Sequence, residues 1–404
     1  MRELSGIEAE AIERCGETPM LDQVTAWAAV NSGSRNLAGL DAVARLLADA
    51  FAPLPGLLDL REPTPVEAMR DDGGLSPVAH GCNLHLRVRP QAAVQLLLTG
   101  HMDTVFGADH PFQHVFWREE GRVLGGPGVA DMKSGLAVML AALQAVEASP
   151  LAARIGYEVV INSDEEVGSP GSAALIAEAA RGKLAAFTYE PAALPDGTLA
   201  GARPGSGNFS LFVEGRSAHA GRNPEEGRNA LLAAAELALR LAAAKDAGLK
   251  VNPARIDGGA PNNVVPDKAV LRVNLRPSTP DDQVRARALI DAAVAEVAAT
   301  REVRIHVHGG FGRPPKPLDA RAGKLFELVR RCGADLGQEI AWRDTGGVCD
   351  GNNIAACGVP VVDTMGARGG AIHSEAEYLI VESLVERAQL SALTILRLAD
   401  GEAL

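Results

Sequence analysis

Cysteine and excess positive charge are both scarce in this chain. Its 404 residues contain five cysteines and no CxxC pair. An odd number of cysteines without paired spacing predicts free thiols in a reducing compartment rather than a disulfide framework. Acidic residues outnumber basic ones by 51 to 39, which gives a net charge of −12. Such an acidic balance argues against nucleic acid or an anionic membrane as a partner.

Targeting and nucleotide-binding signals are missing as well. The opening segment, MRELSGIEAEAIERC, is acidic and lacks the apolar core of a secretory signal. The longest apolar stretch, LAVMLAALQAV, is too short to cross a bilayer. No GxGxxG turn follows a predicted strand, which argues against a nucleotide-binding protein. We therefore expect a cytoplasmic protein with no membrane partner.

Strands and helices alternate along most of the chain, and its length favours two domains. We predict strands at Leu84–Val88, Val94–Leu98, Tyr157–Asn162, Ala185–Tyr189 and Val359–Asp363. We predict helices at Leu21–Ala29, Asp41–Phe51, Gly135–Ala148, Ser172–Arg181, Arg321–Leu336 and Val381–Ala399. This alternation predicts an α/β fold with a largely parallel sheet covered on both faces. Ligands in such folds bind beyond the carboxyl ends of the strands.

The segment 194–309 has a different pattern, and Pro/Gly-rich connections flank it. We predict within it, in order, strand Asn208–Glu214, helix Arg228–Ala244, strand Leu249–Ile256, strand Lys268–Leu275, helix Asp281–Thr300 and strand Glu302–His308. The β-α-β-β-α-β order is typical of a self-sufficient α+β unit. We therefore predict a discontinuous catalytic domain, residues 1–193 and 310–404, that carries residues 194–309 as an insert.

Five short segments each place an acidic or imidazole side chain at the end of an apolar run. They are LLLTGHMD, GVADMKSG, INSDEEVGS, TYEP and AIHSEAEY, with His101, Asp103, Asp131, Glu165, Glu166, Glu190 and His373. Carboxylates and imidazoles are costly to bury unless they pair or bind metal. Nitrogen and oxygen ligands without cysteine suit a zinc-like divalent ion. The set is large enough for two ions and one further acid, so it predicts a dinuclear metallohydrolase.

Taken alone, each motif has a simpler explanation. His101-x-Asp103 is more often a surface loop, Asp131 is equally typical of a helix cap, and Glu165–Glu166 resembles a solvated acidic turn. The combination of these motifs in one chain favours a catalytic metal site. His101 would bind metal while Asp103 orients its ring, and Asp131 would bridge two ions through its two oxygens.

The adjacent acids Glu165 and Glu166 are predicted to divide two tasks. A metal ligand loses its proton to the cation, whereas an unliganded neighbour can transfer protons. Glu166 would therefore bind metal, and Glu165 would take a proton from the bridging water and deliver it to the leaving amine. Two divalent cations against Asp131, Glu166 and Glu190 leave one excess positive charge. A bridging hydroxide would neutralise that charge.

Together with SAHAG and NVVPDKA, these motifs resemble the zinc-dependent exopeptidase and aminoacylase superfamily, most closely its glutamate carboxypeptidase branch. The resemblance implies a catalytic domain with a mostly parallel mixed sheet and an inserted domain for dimerisation or lid closure. It implies two zinc ions, with cobalt and manganese as alternatives. One zinc would be bound by His101, Asp131 and Glu190, and the other by Asp131, Glu166 and His373.

The resemblance also implies roles outside the ligand set. It implies a cis peptide bond at Asp131–Met132. His219 would stabilise the developing oxyanion, commonly from the partner subunit of a homodimer that forms through the inserted domain. Asn263 and Arg276 would hold a substrate carboxylate, for which a bidentate arginine is well suited. From the residues alone, the simpler explanation of His219 is an exposed turn, and Arg276 has a strand-end surface arginine as its alternative.

The predicted function is hydrolysis of an amide or peptide bond next to a free carboxylate in a small substrate. The alternative is an N-acyl-amino-acid deacylase of the acetylornithine deacetylase or succinyl-diaminopimelate desuccinylase type. A regulatory protein that binds metal without activity is disfavoured. Such a protein would not need Glu165, which is dispensable for metal binding, yet Glu165 is present. Thr198 and Arg203 stand nearest to the position where some relatives carry a lysine. That departure counts against a folate-like glutamate substrate.

Overall fold

The computed structural model describes residues 2–404. Its α-helices, numbered in chain order, are α1 (Gly6–Cys15), α2 (Met20–Ala28), α3 (Leu37–Phe51), α4 (Ser134–Glu147), α5 (Ala173–Ala180), α6 (Ala230–Ala243), α7 (Pro280–Arg301), α8 (Ala320–Asp335), α9 (Asp350–Ala356) and α10 (Ser383–Asp400). Its strands are β1 (Leu57–Arg61), β2 (Val66–Met69), β3 (Leu75–Val78), β4 (Asn83–Val88), β5 (Val94–His101), β6 (Phe116–Arg118), β7 (Val123–Gly125), β8 (Ile155–Asn162), β9 (Ala185–Thr188), β10 (Leu199–Ala200), β11 (Ser206–Glu214), β12 (Leu249–Gly258), β13 (Lys268–Pro277), β14 (Arg304–Arg313), β15 (Trp342–Arg343), β16 (Val361–Val362), β17 (Gly369–Gly370) and β18 (Tyr378–Ile380).

A mixed six-stranded sheet organises the part of the molecule outside residues 194–313, which the sequence predicts to be catalytic and which is called the catalytic half below. Its strand order is β1-β4-β8-β5-β9-β16. The four strands β8, β5, β9 and β16 run parallel to one another, whereas β4 and β1 are antiparallel to their neighbours. Leu96 and Leu98 contribute to the core that contains α4 and α10, and Leu97 to the core that contains α5 and α9. Helices therefore cover both faces, and the predicted α/β class with a mostly parallel mixed sheet is confirmed.

Helix α4 is the central helix of that core. Almost every side chain from Ser134 to Val146 is buried, so the helix is apolar all round rather than on one stripe. The stretch Val129–Glu147 is long and apolar enough to cross a membrane, but nearly all of it is buried inside the protein. Packing against α10 and α2 accounts for this composition.

The insert is a two-layer unit with its own hydrophobic core. Its antiparallel sheet has the order β12-β13-β11-β14, and α6 and α7 cover one face. The chain order β11-α6-β12-β13-α7-β14 is the β-α-β-β-α-β order expected from the sequence. Strand β14 continues to Arg313, so the predicted boundary between residues 309 and 310 falls inside this strand. Part of the other face is polar and borders a cleft, which Asn208, Asn274 and Arg276 line.

A hairpin of the catalytic half, formed by β2 and β3, contacts the insert. Asp71 in its turn forms ion pairs of 2.8 Å with Arg255 and 2.5 Å with Arg272. Met69 packs against Phe212 and Val270 of the insert sheet. The two units are thus joined by side-chain contacts as well as by the two chain connections.

The carboxyl ends of three parallel strands meet at one edge of the central sheet. Strand β5 ends at His101, β8 ends three residues before Glu165, and β9 ends two residues before Glu190. Because parallel strands point their carboxyl ends the same way, these side chains converge at that edge. The convergence of His101, Glu165 and Glu190 follows directly from this topology.

Candidate metal centre

Asp131 lies between two histidines and faces each with a different oxygen. Its Oδ1 is 3.1 Å from His101 Nε2, and its Oδ2 is 3.2 Å from His373 Nε2. Glu190 Oε2 lies 3.7 Å from His101 Nε2, and Glu166 Oε2 lies 3.1 Å from His373 Nε2. The structure therefore brings the five predicted ligands together around one carboxylate, which has the arrangement expected of a bridging group.

The backbone around Asp131 has an unusual conformation. Gly128 has a φ of 72°, a left-handed conformation that glycine adopts without steric cost. The Asp131–Met132 peptide bond is cis, as the family resemblance implies. Glu377, whose side chain is buried, accepts hydrogen bonds from the backbone N–H groups of Gly128, Ala130 and Asp131. The turn that carries Asp131 is therefore held by another acid.

His373 also adopts a sparsely populated backbone conformation. Its φ is 61°, which is uncommon for a residue with a side chain and is found more often at functional sites. The side chain is about half exposed, at 52%, whereas its carboxylate neighbours are largely buried. His373 thus forms the solvent-facing side of the centre.

Asp103 connects the segments that carry His101 and the two adjacent glutamates. Its carboxylate accepts hydrogen bonds from the Ser34 hydroxyl at 2.7 Å and from the backbone N–H groups of Glu165 and Glu166 at 3.1 and 3.2 Å. His101 Nδ1 lies 3.0 Å from the Asp103 carbonyl oxygen and 3.4 Å from its Oδ1. The main-chain carbonyl is thus the nearer partner of the His101 ring, while the carboxylate fixes the turn of the glutamates.

Glu165 has a partner that the sequence did not indicate. Arg313 Nη2 donates to Glu165 Oε1 at 2.6 Å, and the same guanidinium also pairs with Asp350 and donates to Ser169. Arg313 is the last residue of β14, at the point where the chain leaves the insert. The predicted general base is therefore held by a buried arginine at the junction of the two units.

Burial dominates the protonation of the carboxylates in the absence of cations. It raises the pKa of Glu190 to about 8 and that of Glu166 to about 7, and the charge of Asp131 adds to both shifts. Burial also raises the pKa of Glu165 to about 8, although the charge of Arg313 opposes it. Hydrogen bonds to Asp131 and Glu166 raise the pKa of His373 to about 11. Without cations, these side chains therefore hold protons near neutral pH, and bound cations would displace those protons.

The donor set fits a pair of divalent cations. Two overlapping groups, His101 with Glu165 and Glu190, and His101 with Asp131 and Glu166, each have donor atoms within 4.8 Å of one another. Glu190 Oε1 is buried without a hydrogen-bond partner among residues 2–404. Nitrogen and oxygen donors without sulfur are the ligands expected of zinc, cobalt or manganese at a hydrolytic site.

Two cavities open beside these residues. The smaller, of about 440 Å³, is lined by the acidic centre and by small or apolar side chains that include Ala192, Ala200 and Ile372. The larger, of about 1230 Å³, lies between the centre and the polar face of the insert sheet. A substrate can therefore extend from the centre in two directions of different chemistry.

Arg276 lines the larger cavity on the insert side. Its guanidinium donates to Asn274 Oδ1 and to the Gly346 carbonyl, both at 3.1 Å. Lys250 is its register partner on the neighbouring strand and lines the same cavity. Among the described residues, neither the Arg276 guanidinium nor the Lys250 ammonium has a carboxylate within salt-bridge distance. Both charges are thus available to an anionic group in the cleft.

His219 and Asn263 lie together on another part of the insert. Both are exposed, and the Ala220 N–H donates to the Asn263 carbonyl at 2.9 Å. Neither residue lines either of the two cavities. Within residues 2–404 of one chain, the structure does not bring them to the metal centre.

Glu377 and Arg203 are site residues to which the sequence gave no role. Arg203 lines the smaller cavity and pairs with Asp363 at 2.7 Å, and Lys316 contacts the same carboxylate at 3.2 Å. The sequence offered only weak signals for these residues. Glu377 lies within the AIHSEAEY motif, and Arg203 is near the position of the missing lysine.

Comparisons with known proteins identify relatives over most of the chain. Residues 97–397 match the model of peptidase family M20/M25/M40. The chain is 31% identical over 333 residues to carboxypeptidase G2 of Pseudomonas sp. (strain RS-16), covering 80% of this chain and 78% of that protein. It is 26% identical over 361 residues to a succinyl-diaminopimelate desuccinylase of Verminephrobacter eiseniae (strain EF01-2), covering 84% and 87%. A tripeptidase from Staphylococcus aureus subsp. aureus Mu50 has the same fold, with a TM-score of 0.71, 22% identity and coverage of 97% and 99%.

Proposed function

The chain belongs to peptidase family M20/M25/M40, and from this premise we propose a two-zinc enzyme that cleaves an amide bond next to a free carboxylate. Membership makes it a metal-dependent hydrolase that acts on amide bonds. The proposal adds the number and kind of ions, with cobalt and manganese as alternatives, and the position of the carboxylate. It also adds the roles of individual residues.

One observation carries the two-ion part of the proposal. The two carboxylate oxygens of Asp131 face different histidines, His101 and His373, at nearly equal distances of 3.1 and 3.2 Å. Glu190 stands on the side of His101 and Glu166 on the side of His373. This symmetry supports one ion on each side of Asp131, with three protein ligands for each.

The protein's own contribution to the reaction centres on Glu165. When bound, the two ions would supply Lewis acidity and lower the pKa of a shared water. Glu165 would accept the proton of that water and deliver it to the leaving nitrogen. Arg313 and the backbone contacts to Asp103 would hold the Glu165 carboxylate in one orientation throughout. Its position at the meeting point of both cavities supports this role.

Arg276 supports the assignment of a carboxylate to the substrate. Its guanidinium and the Lys250 ammonium face the larger cavity without acidic partners among the described residues. A fixed guanidinium recognises a carboxylate through two parallel hydrogen bonds. The amino-acid half of the substrate would therefore occupy this cavity, and its acyl half would occupy the smaller, more apolar one.

A deacylase for N-acyl amino acids is the second candidate. The desuccinylase relative supports it, because it covers most of both chains. The two candidates share the centre and differ in which half of the substrate is selected.

The cytoplasm remains the proposed compartment. All five cysteines are free thiols, which supports a reducing environment.

A homodimer through the insert is proposed from the family resemblance, with His219 acting in the partner's site. His219 is exposed and lines neither cavity of its own chain, which supports that role. Mixing His219→Ala and Glu165→Gln chains tests it. Random exchange in a twofold-symmetric dimer should restore about a quarter of the wild-type activity, since half the dimers would hold one complete site. A mixture as inactive as its components would reject the role.

The main test combines metal analysis with a substrate screen. Metal content measured by mass spectrometry should give two ions per chain. The screen would compare C-terminal glutamyl and aspartyl dipeptides, aryl-acyl amino acids, acetylornithine and succinyl-diaminopimelate, each with its carboxamide analogue as a matched control. Loss of activity on the carboxamides is expected. Equal turnover of acids and carboxamides would reject the free-carboxylate requirement.

A further inference from the structure

Glu377 is a buried acid whose carboxylate is devoted to the backbone of a single turn. Its side chain accepts from the N–H groups of Ala130 and Asp131 through Oε1, both at 3.0 Å, and from Gly128 through Oε2 at 3.2 Å. The residue is 1% exposed. Successive N–H groups that converge in this way form a concave anion-binding nest. Here the anion in the nest is part of the protein.

This placement is unfavourable for the metal-free protein. The buried Glu377 carboxylate lies behind the turn that carries Asp131 and adds a second negative charge close to the Asp131 carboxylate. The nearby ammonium of Lys133 donates to the Val30 carbonyl at 3.1 Å rather than to an acid. A neutral acceptor could satisfy the same N–H groups without added repulsion. The extra charge becomes favourable only when cations occupy the other side of Asp131.

Glu377 also links two segments that carry ligands. It follows His373 by four residues, and β18 begins at the next residue. Strand β18 pairs with β7, which leads into the Asp131 turn, and places Tyr378 opposite Gly125. The Gly126 N–H donates to the Glu377 carbonyl at 3.4 Å. Main chain and side chain of this one residue therefore hold the His373 segment against the Asp131 turn.

We propose that Glu377 is a positioning residue for the metal centre, which clamps the Asp131 turn so that its two oxygens face His101 and His373 before any cation arrives. The inference rests on the proposed function, because it takes Asp131 and His373 as ligands. It makes Glu377 necessary for tight binding of the metal, although the residue is not one of the five proposed ligands.

The direct test compares zinc affinity in three variants by competition with a chelator. Glu377→Gln keeps the size of the side chain but turns an N–H donor toward the Gly128 N–H. We expect its zinc affinity to fall by about 10–100-fold, as for other residues that support metal ligands. Glu8→Gln is the matched control, because Glu8 is also buried and hydrogen-bonded but joins α1 to Arg397 of α10. Wild-type affinity in Glu377→Gln would overturn the inference.

Asp131→Ala separates this inference from the proposed function. If Asp131→Ala keeps both ions, the ligand assignment itself fails, and the clamp fails with it. If Asp131→Ala loses them and Glu377→Gln does not, only the clamp fails.

Hydrogen exchange gives a readout that needs neither activity nor a folded variant. In metal-free wild-type protein, peptides covering residues 126–133 should be protected, because Glu377 holds three of their amides. Glu377→Gln should lose part of that protection, first at Gly128, while residues 134–147 keep theirs. Free exchange of residues 126–133 in the metal-free wild type would overturn the inference even if the variant did not fold.

Discussion

Replacing Glu165 with glutamine isolates proton transfer from metal binding. The substitution removes a negative charge and the ability to accept a proton, but it keeps the shape of the side chain. The oxygen of the new amide group can still accept from Arg313, as Glu165 Oε1 does at 2.6 Å. The backbone N–H at this position also remains bound to Asp103. The local structure should therefore survive the change.

The expected loss of activity is large. A positioned side chain that transfers protons typically accelerates a reaction by about 10²–10⁴-fold. We therefore expect kcat to fall by that factor, which corresponds to about 3–5 kcal/mol of barrier. Both ions should stay bound, because the five proposed ligands are untouched. Steady-state kinetics and metal content measured on the same preparation check both statements.

The control for this variant is Glu375→Gln. Glu375 lies two residues from His373 and its side chain is exposed, with only a 4.0 Å contact to His110. Its kcat should stay within about twofold of wild type, as expected for a surface substitution. Glu165→Gln with both ions bound and nearly unchanged kcat would refute the role of general base. Loss of one ion would instead make Glu165 a ligand, since its donor atom also lies within 4.8 Å of those of His101 and Glu190.

Three further predictions concern the ligands, the substrate and pH. Asp131→Ala should lose both ions in metal analysis, because its carboxylate is shared; retention of one ion at full affinity would contradict bridging. Arg276→Ala should raise KM by about 10–100-fold with a smaller effect on kcat, because a charged hydrogen bond to the substrate is lost; an unchanged KM would contradict the assignment. Burial raises the metal-free pKa values of Glu165 and Glu190 from 4.5 to about 8. Between these values the folded protein holds protons that the unfolded chain has released, so its unfolding free energy should fall as pH rises. Calorimetry should therefore find that zinc increases Tm more at pH 8 than at pH 5, and the reverse order would contradict this.

The sequence predicted those parts of the fold that have strong local patterns. The apolar strands β5, β8 and β9 each end next to a polar site residue, and their parallel arrangement made convergence of those residues expected. The insert was predictable because helix-forming segments and alternating strands follow one another between two Pro/Gly-rich connections. Helix α1 was missed although Ser5 and Glu8 form a capping box, a signal that can be recognised from sequence.

The parts that could not be predicted depend on contacts between distant residues. Arg313 reaches Glu165 across 148 positions, and Glu377 reaches Asp131 across 246. No local pattern distinguishes such residues from an ordinary surface arginine or glutamate. The β2–β3 hairpin was missed because its strands have only four residues each and bury only Met69 fully. Its ion pair with Arg272 spans 201 positions.

The interrupted order of the catalytic half constrains how the chain is made. The insert has its own core and can fold as soon as residue 313 has left the ribosome. At that moment the catalytic half still lacks β16, α10 and His373. The face of α4 that α10 covers is therefore open to solvent. A chain that stalls after residue 313 would carry a folded insert next to an incomplete catalytic half with exposed apolar surface. We therefore expect aggregation or chaperone binding to be most favoured before residues 314–404 are available to complete that core.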